Sequence, residues 1–230
     1  MCGRFTQHAS WSEIVAFMQP LEVRVAEHKI ESAYNIAPSQ PCWALRPGAA
    51  TLEGLRMRWG LVPGWANTPR LGYSTFNARA ESMASKPAFR DAFRQRRCLV
   101  PASGYYEWKT AGKAKQPFYI HPADGALLLF AALWEPPHRQ LSELPSVSIV
   151  TRPADARLAA LHPRVPLLLS PAQGAAWCLG SVDSAAEIAS AAIPSTLTWH
   201  AVDRRVGNTR EQGAQLIAPV KSLFCSAAAE

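Results

Sequence analysis

The sequence predicts an α+β fold, with short strands gathered into a central antiparallel or mixed sheet and helices at its periphery. Two observations carry that expectation. Short apolar or aromatic runs bounded by Gly, Pro or Asp recur from residue 98 to residue 169, with no regular alternation of strand and helix. A chain of 230 residues with no internal repeat, no low-complexity linker and no sharp change of composition also fits a single domain with a sizeable core.

Taken in order, Ser10-Trp11-Ser12-Glu13 reads as a capping box that opens a helix through Ile14, Val15, Phe17 and Met18, stopped by Pro20. Leu55, Met57, Trp59 and Leu61 alternate with Arg56, Arg58 and Gly60, the pattern of a half-buried strand. A second helix is expected from Ser85, with Pro87 in its first turn and Phe89 and Phe93 on one face. Strands are expected at 98–101, 105–109, 118–121, 127–134, 147–151 and 165–169. Two late helices start near Ser170-Pro171 and Asp183, and 196–202 reads as a last strand.

Composition narrows the function classes. Hydrophobic residues make up 48% and charged residues 18%, as in an ordinary folded protein. The 24 Lys+Arg against 17 Asp+Glu give a net charge of +7, which favours an anionic partner such as nucleic acid. Five scattered cysteines form no CxxC pair, so neither a zinc site nor a redox motif is expected, and a reducing cytoplasm fits best. The run Ala126 to Trp134 is about half of a membrane span, and the first residues carry no apolar leader. No membrane partner, metal or cofactor is expected.

Cys2 is the most informative position. Removal of Met1 before this small residue would leave an α-amine and a thiol on adjacent carbons. Ordinary pKa values of about 7.7–8.0 and about 8.5 leave a deprotonated fraction of each near neutrality. An amine condenses with an aldehyde to an imine, and a neighbouring thiol can add to that imine and close a five-membered thiazolidine. Such a terminus, read alone, is more often frayed than reactive.

The wider pattern changes that balance. Met1-Cys2-Gly3-Arg4-Phe5, Tyr34-Asn35-Ile36-Ala37-Pro38, Trp59-Gly60-Leu61-Val62-Pro63-Gly64-Trp65 and Asn77-Ala78-Arg79-Ala80-Glu81 occur in that order. Lys86-Pro87, Gly104-Tyr105-Tyr106-Glu107-Trp108, Gln116-Pro117-Phe118, Leu161-His162-Pro163-Arg164-Val165-Pro166 and Val206-Gly207-Asn208 follow. The series resembles the SRAP family, the SOS-response-associated peptidase domain, over nearly the whole chain.

The resemblance implies one SRAP-type domain at residues 1–225 with an open, barrel-like sheet, and a short tail at 226–230. It implies a monomer that recognises abasic sites in single-stranded DNA and becomes covalently linked to them, cytoplasmic and nucleoid-associated when bound. Family chemistry carried onto this chain makes Cys2 the nucleophile, Asn77 an orienting side chain, Glu107 a proton-transfer group and His162 an acid/base for opening the sugar. Arg4, Arg79 and Lys86 resemble the family's phosphate contacts. Trp65 and Trp108 sit in its DNA-facing motifs, and Asn35 and Arg164 are further carry-overs. Val165 departs from the family, which often has Met there, and this bears on packing around His162.

Elementary chemistry is consistent with these roles. A closed hemiacetal needs proton shuttling to expose its aldehyde, and a His titrating at about 6.5 does that near neutrality. Partial burial would raise Glu107 into the same range. The run Arg94, Arg96 and Arg97 reads as a solvated helix face. Rival readings are an N-terminal-cysteine peptidase or amidohydrolase, and a non-catalytic single-strand-binding module. Against an amidohydrolase of the glutamine amidotransferase type, Arg4 stands where Ile is expected and an RGPD-like segment is missing.

Overall fold

A computed structural model describes residues 2–25, 30–68, 71, 73–111, 114–190 and 196–222. Met1, Cys225 and the expected tail at 226–230 lie outside the described residues. The chain runs through β1 (Phe5–Gln7), α1 (Trp11–Met18), β2 (Val23–Val25), β3 (Ala33–Ile36), β4 (Pro41–Pro47), β5 (Leu52–Trp59) and β6 (Asn77–Arg79). It continues with α2 (Arg90–Gln95), β7 (Arg97–Ala102), β8 (Gly104–Ala111), β9 (Ala114–Pro122), β10 (Leu128–Glu135) and β11 (Ser146–Pro153). Then come α3 (Ala156–Ala159), β12 (Arg164–Pro166), α4 (Pro171–Leu179), α5 (Val182–Ser190) and β13 (Leu197–Ala201). The class is α+β, as expected.

The strands divide over two sheets. One has five strands in the order β13-β9-β8-β1-β3, every pair antiparallel. The other has eight and is mixed. Its path β11-β10-β7-β4-β5 turns back on itself, because β5 also pairs in parallel with β11, Arg58 opposite Ser146 and Trp59 opposite Val147. This partial ring encloses a core into which Phe5 of the five-stranded sheet packs edge-on against Trp59 and Phe130, with centroids 4.9 and 5.9 Å away. A second core, containing Ile14, Met18, Phe93 and Trp177, packs α1, α2, α4 and α5 against the other face of the ring.

Local chemistry accounts for most element boundaries. The expected capping box at Ser10 forms in both directions, with Ser10 N–H to Glu13 Oε2 at 2.7 Å and Glu13 N–H to Ser10 Oγ at 3.3 Å. Ser170 and Gln173 build the same device for α4, with Pro171 in its first turn. The helix expected from Ser85 starts instead at Arg90. Between Arg79 and Phe89 the backbone runs in separate turns, and Ser85 Oγ bonds the Ser82 carbonyl, so these serines compete with helix propagation.

The run 165–169 also divides. β12 ends at Pro166, the Leu167 N–H still donates to the Val150 carbonyl of β11, and the Leu167 carbonyl and Leu169 N–H then bond Ala131 and Leu129 of β10. Gly104 is required where β1 meets β8. A Cβ there would collide with the Tyr119 ring, whose hydroxyl hydrogen-bonds Thr6 Oγ1 at 3.0 Å. No helix of the described residues is long and apolar enough to cross a membrane.

Candidate active site

Cys2 is not a frayed end. Its neighbour strand β1 lies between β3 and β8, with Phe5 opposite Ile36 on one side and Tyr105 on the other. Cys2 is therefore fully buried. Its thiol contacts the Arg4 carbonyl at 3.8 Å, and its own carbonyl accepts a 2.7 Å hydrogen bond from Asn77 Nδ2. Asn77 stands on β6, fixed in register against Ile149 of β11. Its Oδ1 is buried and has no hydrogen-bond partner among the described residues.

Glu107 enters from β8 and His162 from the loop between α3 and β12. His162 Nδ1 is 3.7 Å from Glu107 Oε1. Burial raises the Glu107 carboxyl from 4.5 to about 7, and burial lowers His162 below 6.5. The distance qualifies as an ion pair, but both shifts disfavour charge, so we read a neutral His beside a carboxyl poised near neutrality. His162 Nδ1 lies 3.0 Å from the Arg164 carbonyl and 3.1 Å from the Arg164 N–H, and the ring's tautomer sets which of the two it bonds. The carboxyl, more than the imidazole, therefore titrates near pH 7. Burial, with the Glu107 charge adding to it, pushes the Cys2 thiol far above its usual range.

The residues expected to bind phosphate and bases divide into two groups. Arg79 and Lys86 are exposed and line one open cavity of about 610 Å³ that also includes Asn77, Tyr73, Ser82 and Pro87. Trp65 is 51% exposed beside it, with its indole N–H 3.5 Å from the Pro87 carbonyl. Tyr73, at 52% exposure, belongs to this surface and was not singled out from sequence. An exposed aromatic in a loop has no periodic signal by which to find it.

The second group makes bonds or contacts within the fold, with Asn35 buried and Arg4, Trp108 and Arg164 half-buried. Asn35 is fully buried, its Nδ2 donating to the carbonyls of Val206, Asn208 and Glu211 and its Oδ1 accepting from Arg4. Arg4 also donates to Val206 O and Gly207 O, and its guanidinium lies 6.0 Å from the Trp108 centroid. Trp108 packs with Tyr106 and Val206 on the face of β8 opposite Glu107. Arg164 grips Glu81 with two bonds of 2.8 and 2.9 Å and also bonds Thr151. These four side chains tie segments together across the fold. The arginine run is likewise mixed: Arg94 is exposed, Arg96 pairs with Glu135 at 2.7 Å, and Arg97 is buried against carbonyls at the end of α4. A solvated face is correct for Arg94 alone.

Fold and site together define a class: an α+β protein whose buried second residue carries a thiol within electrostatic reach of a carboxyl–imidazole pair, with an open cavity lined by Asn77, Arg79 and Lys86. Residues 1–209 match the SOS response associated peptidase (SRAP) family, and the chain belongs to that family. It is 36% identical over 226 residues to the abasic site processing protein YedK of Escherichia coli, covering 96% of this chain and 100% of that protein. It is 34% identical over 172 residues to the abasic site processing protein YoaM of Bacillus subtilis, covering 74% and 75% respectively. A crystal structure of a Bacteroides thetaiotaomicron protein shares the fold with a TM-score of 0.76 at 19% identity, covering 96% of this chain and all of that one.

Proposed function

We propose that this protein processes abasic sites in single-stranded DNA by forming a covalent thiazolidine through Cys2 once Met1 has been removed. The observation that carries the reading is that Asn77 bonds the Cys2 carbonyl while Glu107, itself beside His162, lies within electrostatic reach of the Cys2 thiol, each from a separate segment. The names of the relatives supply the substrate. Arg79, Lys86 and Trp65 border the approach, and we assign them to phosphate and base contacts.

In this scheme His162 and Glu107 move the protons that open the sugar hemiacetal to its aldehyde. The Cys2 amine attacks the carbonyl carbon, the Glu107 carboxyl gives up its proton and water leaves, producing a protonated imine beside the Glu107 carboxylate. The Cys2 thiol passes its proton to the Glu107 carboxylate and its sulfur bonds the imine carbon. The π pair moves to nitrogen and the ring closes.

The test is intact mass after incubation with an abasic single-stranded oligonucleotide, read with and without denaturation. A denaturant-stable species at the sum of protein and DNA masses, less water and lacking Met1, is the expected result. Binding without that species would make the protein a simple single-strand binder. Release of ammonia from glutamine would favour an amidohydrolase.

The groove assignment has its own expected outcome. Arg79→Ala should weaken binding to all single-stranded sequences alike and lower the salt slope by about one phosphate contact. Fluorescence titration across salt concentrations measures this, and an unchanged slope removes Arg79 from the phosphate contacts.

A further inference from the structure

Tyr105 has no part in the scheme above, yet it belongs to the same buried cluster as Cys2. It is two residues from Glu107 on the same face of β8, so both side chains point toward the core that holds Cys2. Strand pairing sets its position. Tyr105 is opposite Phe5, and the next N–H, of Tyr106, donates to the Arg4 carbonyl that the Cys2 thiol also contacts. Its ring is held edge-on to Phe130 at 6.1 Å.

The phenol is fully buried and its hydroxyl has no hydrogen-bond partner among the described residues. Neighbouring tyrosines are different: Tyr106 donates to the Tyr34 carbonyl at 2.7 Å, and Tyr119 shares a hydrogen bond with Thr6. A buried hydroxyl without a partner is costly, and phenylalanine would fill the same space without it. Such a donor finds its partner when negative charge develops next to it. Burial first, then charge on Cys2, then charge on Glu107 push the phenol well up, so it stays protonated and lies within electrostatic reach of both.

We propose that the Tyr105 hydroxyl donates a hydrogen bond to the Cys2 sulfur as the thiol gives up its proton, positioning that sulfur for addition to the imine. Tyr105 keeps its own proton throughout; the thiol proton goes to Glu107 and the sulfur electron pair forms the S–C bond. This assignment rests on the thiazolidine reading, and it makes Tyr105 a positioning residue for ring closure, with no part in imine formation.

The experiment compares Tyr105→Phe with wild type, both processed to Cys2, in single-turnover reactions with an abasic single-stranded oligonucleotide across the neutral pH range. Stable adduct should form about ten- to a hundredfold more slowly in the variant below neutrality, as expected for one lost hydrogen bond to an anion. Borohydride-trapped imine should appear at nearly the wild-type rate, and the thermal unfolding temperature should be unchanged or higher. Equal adduct rates at every pH, an equal loss of imine and adduct, or a lowered unfolding temperature would each overturn the assignment. Absence of adduct in the wild type is a different result: it removes the thiazolidine reading itself, and this assignment with it.

Discussion

Cys2→Ser should abolish the denaturant-stable DNA adduct while an imine remains that borohydride can trap. The α-amine survives the substitution, so attack on the aldehyde is retained, but a hydroxyl is a much weaker nucleophile toward the imine than sulfur. Burial of position 2 makes the comparison clean, since Ser occupies nearly the same space against the Arg4 carbonyl and the Asn77 amide still has its acceptor. Denaturing gels with and without borohydride give the two readouts. A stable adduct formed by Cys2→Ser at the wild-type level would rule out the thiazolidine.

Glu107→Gln has the next largest expected effect, in two quantities that move in opposite directions. Loss of a proton-transfer group should slow adduct formation about 10²–10⁴-fold. The wild-type rate should rise with pH through about 7, where the carboxyl becomes a base, and the variant should lack that limb. Stability should increase. The folded chain holds the Glu107 proton up to about pH 7, whereas the unfolded chain releases it near 4.5, so wild-type stability falls progressively between those values. Above pH 7 the full penalty applies, and Glu107→Gln should recover up to about 3 kcal/mol of it. Denaturant titrations of both proteins at acidic and at alkaline pH measure this. A variant that is no more stable at high pH than at low pH, relative to wild type, would show that the carboxylate is not penalised by burial.

How much of this was legible in the sequence depended on the range of each interaction. Capping boxes at Ser10 and the start at Ser170-Pro171 are local, and the structure has them where the residues indicate. β1 and β6 are three residues each, too short to show a period of two, and they were not expected from sequence even though they carry Cys2 and Asn77 toward each other. The family resemblance makes Arg4 a phosphate contact and Asn35 a further carry-over, without showing the bonds that both make inside the fold. Their partners at 206–211 are about 170 residues from Asn35 and about 200 from Arg4 in sequence, and no local pattern contains that information. Trp108 is a different case: alternation along β8 already assigns it to the face opposite Glu107, so the signal was present. The stranded Tyr105 hydroxyl has no counterpart in sequence, because a missing partner is a property of the packed core.

The seat of Cys2 next to a strand flanked on both sides has a mechanical consequence. If a DNA strand were attached at this residue, tension on it would enter the protein at the head of β1. Neighbours β3 and β8 would take that load together, as shear on two ladders, whereas an edge strand would peel one bond at a time. A tether anchored in this way resists traction by a translocating motor better than the same bond made on a surface loop.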